Sequence, residues 1–156
     1  VRPFNVYGPG MQKSDYRVLP NFASRIKAGQ PLHIYGAGTQ TRTFCYITDA
    51  IVGYYKILVV GRKGESYNIG TDKPEVSMAQ LAESVAQLAR KQWGYTGSVV
   101  RKVSSDKNYL VDNPTRRCPV IDKARTDLGY EPTVSFEQGL ERSLVWYSDN
   151  RDAGDA

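Results

Sequence analysis

Arg42 and the late pair Arg116-Arg117 are the side chains whose type and placement best suit chemistry, and that chemistry is the holding of an anion. A guanidinium offers a planar fork of donors that can grip two phosphate oxygens at once. Arg42 follows the loop Gly36-Ala37-Gly38-Thr39-Gln40-Thr41, which raises a second possibility, a dinucleotide cradle. Such a cradle needs three glycines at G-x-G-x-x-G spacing, between a strand and the start of a helix. Position 41 is threonine, and the following Thr43-Phe44-Cys45-Tyr46-Ile47 is aromatic and β-branched, an extended segment rather than a helix start. The loop therefore reads as a hairpin-like turn that delivers Arg42 to a surface. There it either takes an anion or makes an ordinary surface ion pair, and spacing alone favours the second.

Other chemistries find little support. His33 is the single histidine, and Cys45 and Cys118 are the two cysteines, so neither a metal-ligand cluster nor a disulfide scaffold can be built. That cysteine usage fits a reducing, cytoplasmic compartment. The net charge of +5 invites nucleic acid, but the 21 lysines and arginines are spread through the chain and no recognised nucleic-acid module accompanies them. A small anionic ligand held by a few arginines explains the charge equally well. No apolar run approaches membrane-spanning length, and no signal segment opens the chain.

The elements that must position these residues follow from local patterns in 156 residues, one domain's worth of chain. Residues 1–10 form a strand-like stretch ending in Gly-Pro-Gly, begun without a methionine as if cut through the middle of something. Val18 to Gly29 reads as a helix with apolar positions 18, 19, 22, 23 and 26 on one face. Leu32 to Tyr35 reads as a strand. Thr48 and Asp49 look like the cap and first-turn acid of a tyrosine-rich helix ending near Val60. Glu65 to Gly70 and Val99 to Val103 are further strand candidates. Ser77-x-x-Gln80 and Ser135-x-x-Gln138 have capping-box spacing, and Ile121 to Leu128 is a short helix closed by Gly129. Residues 104–119 read as loop, and 149–156 as a polar, frayed end. Strands alternating with helices give the α/β class, with several helices and strands too few and short for a complete doubly wound sheet.

Taken in order, five motifs carry a resemblance: R-P-F-N-V-Y-G-P-G at 2–10, R-V-L-P-N-F at 17–22, G-Q-P-L-H-I-Y-G-A-G-T-Q-T-R-T-F-C-Y-I-T-D-A at 29–50, Y-N-I-G at 67–70, and R-R-C-P-V-I-D-K-A with L-G-Y-E-P at 116–132. Together they resemble the carboxyl-terminal half of the extended short-chain dehydrogenase/reductase family, the NAD-dependent sugar-nucleotide epimerases, dehydratases and decarboxylases. The spacing from Asn5 through Met11 to Arg17 and the form Q-T-R-T-F-C-Y-I-T-D are most similar to UDP-glucuronic acid decarboxylases. UDP-glucose 4-epimerases and dTDP-glucose 4,6-dehydratases share much of the pattern. One departure stands out: Pro119-Val120-Ile121 replaces the family's usual Pro-Asp-Ile.

The resemblance implies a fold, a ligand and a set of roles. The fold would be the carboxyl-terminal portion of an extended Rossmann-type, NAD(P)-binding enzyme, with residues 1–150 as its substrate-binding portion and 151–156 as tail. The ligand would be a UDP-sugar. Arg42 and Arg117, with Arg116 as a lesser candidate, would hold the diphosphate, Asn5 would bond substrate phosphate or sugar, and Leu32, Ile34 and Tyr35 would lie along the nucleobase. Arg17 would point to the sugar and cofactor end, and Val6 would sit at the nicotinamide side. Family chemistry also needs Y-x-x-x-K, and none of the 11 tyrosines has lysine four residues on. Catalytic residues are therefore expected to be absent from this chain. NAD would belong to the full-length parent, which would oxidise the sugar C4, lose carboxylate from the β-keto acid and return the hydride. The separated half is expected to be inactive, not to bind NAD and to self-associate.

Overall fold

A computed structural model describes residues 1–11, 17–103 and 114–150. Among them the chain runs through β1 (Arg2–Pro3), β2 (Val6–Tyr7), α1 (Val18–Lys27), β3 (Leu32–Tyr35), β4 (Thr41–Arg42), β5 (Cys45–Tyr46), α2 (Ile47–Val60), β6 (Asn68–Ile69), β7 (Val76–Ser77), α3 (Met78–Trp93), β8 (Val99–Lys102), β9 (Arg116–Arg117), α4 (Asp122–Leu128) and α5 (Phe136–Asp149). The strands form small separate sheets. β1 lies parallel to β6, β2 to β5 and β3 to β8, while β4 is the centre of a three-stranded sheet, antiparallel to β7 and parallel to β9.

The β2–β5 pair divides two cores because side chains alternate across a strand. Tyr7 and Tyr46 enter a cluster with Leu19, Phe22, Leu32, Leu81, Val85, Phe136 and Leu140, between α1, α3, α5 and β3. Val6 and Cys45 point the other way, to Ala50, Tyr67, Ile69, Ile121, Ala124 and Tyr130, between α2, α4 and β6. Desolvation at this partition pushes the Tyr7 phenol well above its ordinary range and the Cys45 thiol up to about 11, so both are neutral packing groups. The Tyr7 hydroxyl donates to the Phe136 carbonyl at 3.2 Å.

Both capping boxes form: Ser77 with Gln80 opens α3 and Ser135 with Gln138 opens α5, each pair satisfying amides that a helix start leaves unpaired. Gly129 closes α4 in the left-handed conformation. At the opposite end α4 starts at Asp122, with Ile121 at its cap position and no side-chain cap bond, next to Val120.

Four expectations need correcting. The α2 helix begins at Ile47 with Tyr46 as its uncapped start, and Thr48 is not its cap. Asp49 does lie in the first turn, where it is buried and accepts from the Thr133 hydroxyl at 3.1 Å and the Val134 amide at 3.0 Å, tying α2 to the approach to α5. Within the stretch read as loop, Arg116–Arg117 is strand β9, while 104–113 lie outside the described residues, as does the tail at 151–156. Residues 1–10 are two strands rather than one, and each pairs with a single strand of the chain, β1 with β6 and β2 with β5. Finally, β3 and β4 do not pair with each other, so the Gly36–Gly38 turn is no hairpin but a passage from one sheet to the next.

Candidate functional site

The turn that delivers Arg42 is held by its carbonyls. Gly38 O and Gln40 O accept from the amides of Ala79 and Met78, both at 3.0 Å, so the turn satisfies the start of α3. Gly38 has a φ of 69°, and a Cβ there would meet Ile34 Cγ2 at 2.8 Å and the Ala79 Cβ at 3.3 Å. Glycine is thus required by both conformation and close approach. A dinucleotide loop aims its amides at pyrophosphate; this loop aims carbonyls at a helix.

Arg42 then enters β4, where the register decides what lies beside it. Thr41 opposes Arg116 and Ser77, while Arg42 opposes Arg117 and Val76. Residues directly opposite share a face, and their neighbours share the other. Arg42 and Arg117 therefore stand side by side on one face, and Thr41 and Arg116 on the reverse. Glu75, two residues before Ser77, falls on that reverse face and takes the Arg116 guanidinium at 2.8–3.1 Å together with the Thr41 hydroxyl. These bonds, Arg116 first, hold the Glu75 carboxyl below its ordinary value.

Arg42 is 8 % exposed and donates to the Thr41 carbonyl at 2.7 Å, with a further interaction besides. Arg117 is exposed, and among the described residues its guanidinium has neither hydrogen bond nor ion pair. One buried arginine set on a rigid strand beside one solvent-facing arginine is an arrangement that can clamp a polyanion from two sides.

Asn5 joins this pair. Its φ of 42° puts it in the left-handed region, where asparagine is among the few tolerated side chains. Its amide nitrogen donates to Thr43 O at 2.9 Å and Arg117 O at 3.4 Å, linking the segments that carry the two arginines. Both amide protons are thereby used. The remaining acceptor oxygen can meet a ligand hydroxyl, whereas a phosphate would need a donor. Thr43, fully buried beneath this link, has the one buried side-chain oxygen among the described residues without a hydrogen-bond partner.

The other sequence-derived site residues lie elsewhere. Leu32 and Ile34 bury their side chains in the larger core. Hydrogen bonds from Leu32 N to Ser98 O and from Gly36 N to Lys102 O show that the even-numbered residues face β8. The main-chain groups of His33 and Tyr35 consequently point away from β8, the side on which a base edge could be read. Arg17 is exposed at the start of α1, and Val6 is half-buried against the smaller core. Tyr55 on α2 is 65 % exposed.

Residues 1–70 match the model of the NAD dependent epimerase/dehydratase family. That stretch belongs to this family. The chain is 34 % identical over 152 residues to human dTDP-D-glucose 4,6-dehydratase, covering 96 % of this chain and 41 % of the relative. It is 36 % identical over 140 residues to UDP-glucuronic acid decarboxylase 6 of Arabidopsis thaliana, covering 90 % of this chain and 38 % of the relative. The structure is similar to that of Thermotoga maritima UDP-glucose 4-epimerase with UDP-glucose, with a TM-score of 0.82 at 28 % identity over 96 % of this chain and 45 % of the epimerase. The fold is thus a part of a Rossmann-type short-chain dehydrogenase/reductase, and the chain spans less than half the length of the relatives it matches. The dehydratase and the decarboxylase differ by two percentage points, 34 against 36, and identity does not separate their activities.

Proposed function

We propose that this chain is the sugar-nucleotide-binding half of an NAD-dependent UDP-sugar-converting enzyme of the UDP-glucuronic acid decarboxylase kind. The observation that carries the reading is the β4–β9 register, which puts Arg42 and Arg117 on one face of adjacent parallel strands. Two phosphates of a nucleoside diphosphate would lie across that face, Arg42 as the buried anchor and Arg117 as the solvent-side arm. The base would lie along the outer edge of β3, met by main-chain groups of His33 and Tyr35, with Leu32 and Ile34 supporting that strand from below. The Asn5 oxygen would accept from a sugar hydroxyl. Arg17 and Val6 would stand towards the sugar and nicotinamide end.

NAD does not fit the residues present. The turn lacks the third glycine of a pyrophosphate cradle, with Thr41 in its place, and leads into β4 rather than into a helix, so NAD would be held by a polypeptide portion like the remainder of the relatives. Oxidation, decarboxylation and hydride return would require that portion. The same half of a dTDP-glucose 4,6-dehydratase is the second reading, favoured by the 96 % coverage of this chain in the human dehydratase match. A non-catalytic sugar-nucleotide-binding module is a third.

Titration calorimetry with UDP, UMP, dTDP and NAD tests the proposal. UDP is expected to bind weakly but better than UMP, Arg42→Ala to abolish nearly all of that binding, and NAD to give no heat. Stronger binding of dTDP than UDP would transfer the reading to the dehydratases. Equal UDP binding by parent and Arg42→Ala would refute the diphosphate site.

A further inference from the structure

The sheet β7–β4–β9 has two faces, and the reverse face contains a complete internal ion pair directly behind the arginines. Arg116 bonds both carboxylate oxygens of Glu75, and Glu75 also accepts from the Thr41 hydroxyl. We propose that Glu75 is a positioning residue for the diphosphate: by gripping Arg116 and Thr41 together it fixes the register of β9 on β4, and so sets Arg117 beside Arg42. This inference rests on the reading that Arg42 and Arg117 hold a diphosphate.

Other contacts hold this segment, from Asn5 Nδ2 to Arg117 O, from Cys118 Sγ to Asp72 O at 3.4 Å and from Asn68 Nδ2 to Val120 O at 2.9 Å, but each of those three ends on a main-chain oxygen and reads no side chain of β9. The β9 strand is two residues long. Beyond the strand pair itself, its main chain meets β4 through Thr41 N to Thr115 O at 2.9 Å and Thr43 N to Arg117 O at 3.4 Å, the second a long bond. A slip of one residue would turn every side chain of so short a strand to the opposite face, taking Arg117 away from Arg42. Main-chain bonds are indifferent to which arginine lies where, whereas the Glu75 grip is not. Its two oxygens fit a planar guanidinium on the residue opposite Thr41, and after a slip that residue would no longer be Arg116.

Stability is a poor explanation for this pair. The Arg116 side chain is 64 % exposed, and ion pairs in water add little to folding. The carboxylate also pairs Arg116 behind the sheet, while Arg42 and Arg117 bring their charge to the front face.

The test is a double-variant cycle read as the preference for UDP over UMP, measured by calorimetry on the whole chain with thermal melts alongside. Glu75→Gln and Arg116→Gln are each expected to weaken UDP binding about tenfold and UMP binding less than about twofold, and the double variant to bind no worse than the weaker single one. A purely structural role would shift the melt and leave the preference alone. If Glu75→Gln keeps the preference while Arg117→Ala loses it, the positioning role is overturned and the diphosphate reading stands. If the parent binds no UDP, or Arg117→Ala keeps the preference, that reading falls and the inference with it. Additive losses in the double variant overturn action through Arg116. Should Glu75→Gln fail to fold, the exchanged pair Glu75→Arg with Arg116→Glu decides: a restored preference supports the grip, and a folded protein without preference overturns it.

Discussion

Replacing Arg117 by alanine separates what a ligand needs from what the fold needs. The side chain is exposed and makes no hydrogen bond or ion pair among the described residues. The contacts that Arg117 does make, from the Asn5 amide and the Thr43 amide, go to its main-chain oxygen and survive the substitution. Its removal also takes away a charge from beside Arg42 on the adjacent strand. Like charges opposite each other on adjacent strands repel, by about 1 kcal/mol or less where water lies between them. Arg117→Ala is therefore expected to leave stability unchanged or to raise it by up to about 1 kcal/mol. UDP, in contrast, loses a charge-assisted partner worth about 1.5–3 kcal/mol, a loss of roughly 10- to 150-fold in affinity. Arg42→Ala should differ, because Arg42 is 8 % exposed and bonds the Thr41 carbonyl, so that both binding and stability fall. Urea unfolding and UDP calorimetry on both variants provide the readings. An Arg117→Ala protein that unfolds at lower urea and binds UDP normally would refute the reasoning, since Arg117 would then be serving the fold alone.

Three further outcomes are expected. Gly53→Ala in α2 would push a methyl to 2.7 Å from Ile69 Cγ2 and 3.0 Å from Tyr130 Cε2, and overpacking of this kind costs about 1–3 kcal/mol, readable by urea unfolding. Asp72 has its pKa lowered from an ordinary 3.8, chiefly by the Arg125 guanidinium at 2.6 Å. Its contribution is fully present above that ordinary value and is lost as pH falls through the lower folded value, so Asp72→Asn should melt lower than the parent at pH 6 and lose less on acidification towards pH 2. The α2 helix exposes Ile51, Val52, Tyr55, Leu58, Val59 and Val60, with Leu58 79 % and Val59 77 % exposed. Such a stripe favours association, so the chain should scatter light as an oligomer and Leu58→Lys should shift it towards monomer, an expectation that a monodisperse parent would end.

Features written in adjacent residues were legible in the sequence; those made by distant partners were not. The capping boxes at Ser77 and Ser135 and the closing Gly129 each act within a single turn, and the structure contains all three. The Leu32–Tyr35 strand emerges with the expected bounds. Asp49 is the first-turn acid of α2 that the sequence indicates, but its bonds to Thr133 and Val134, more than 80 residues away in sequence, could not be read from its neighbours. The β9 strand has no periodicity to read, since two residues cannot show any; its pairing with β4 creates it. For the same reason Glu75 carried no signal. It lies outside every recognised motif and gains its place only when β7, β4 and β9 meet.

The candidate site obeys the same division. Residue type marked Arg42, Arg116 and Arg117 as anion partners and the resemblance preferred Arg117; the register supplies the physical reason, since Arg117, and not Arg116, shares a face with Arg42. Alternation along β9 necessarily sends the two neighbouring arginines to opposite sides. On the reverse side the chain supplies its own anion, Glu75. The front side receives two guanidinium groups from strands joined below by the Asn5 amide. A bound diphosphate would therefore complete from outside, across Arg42 and Arg117, the crosslink between β4 and β9 that Glu75 makes from within.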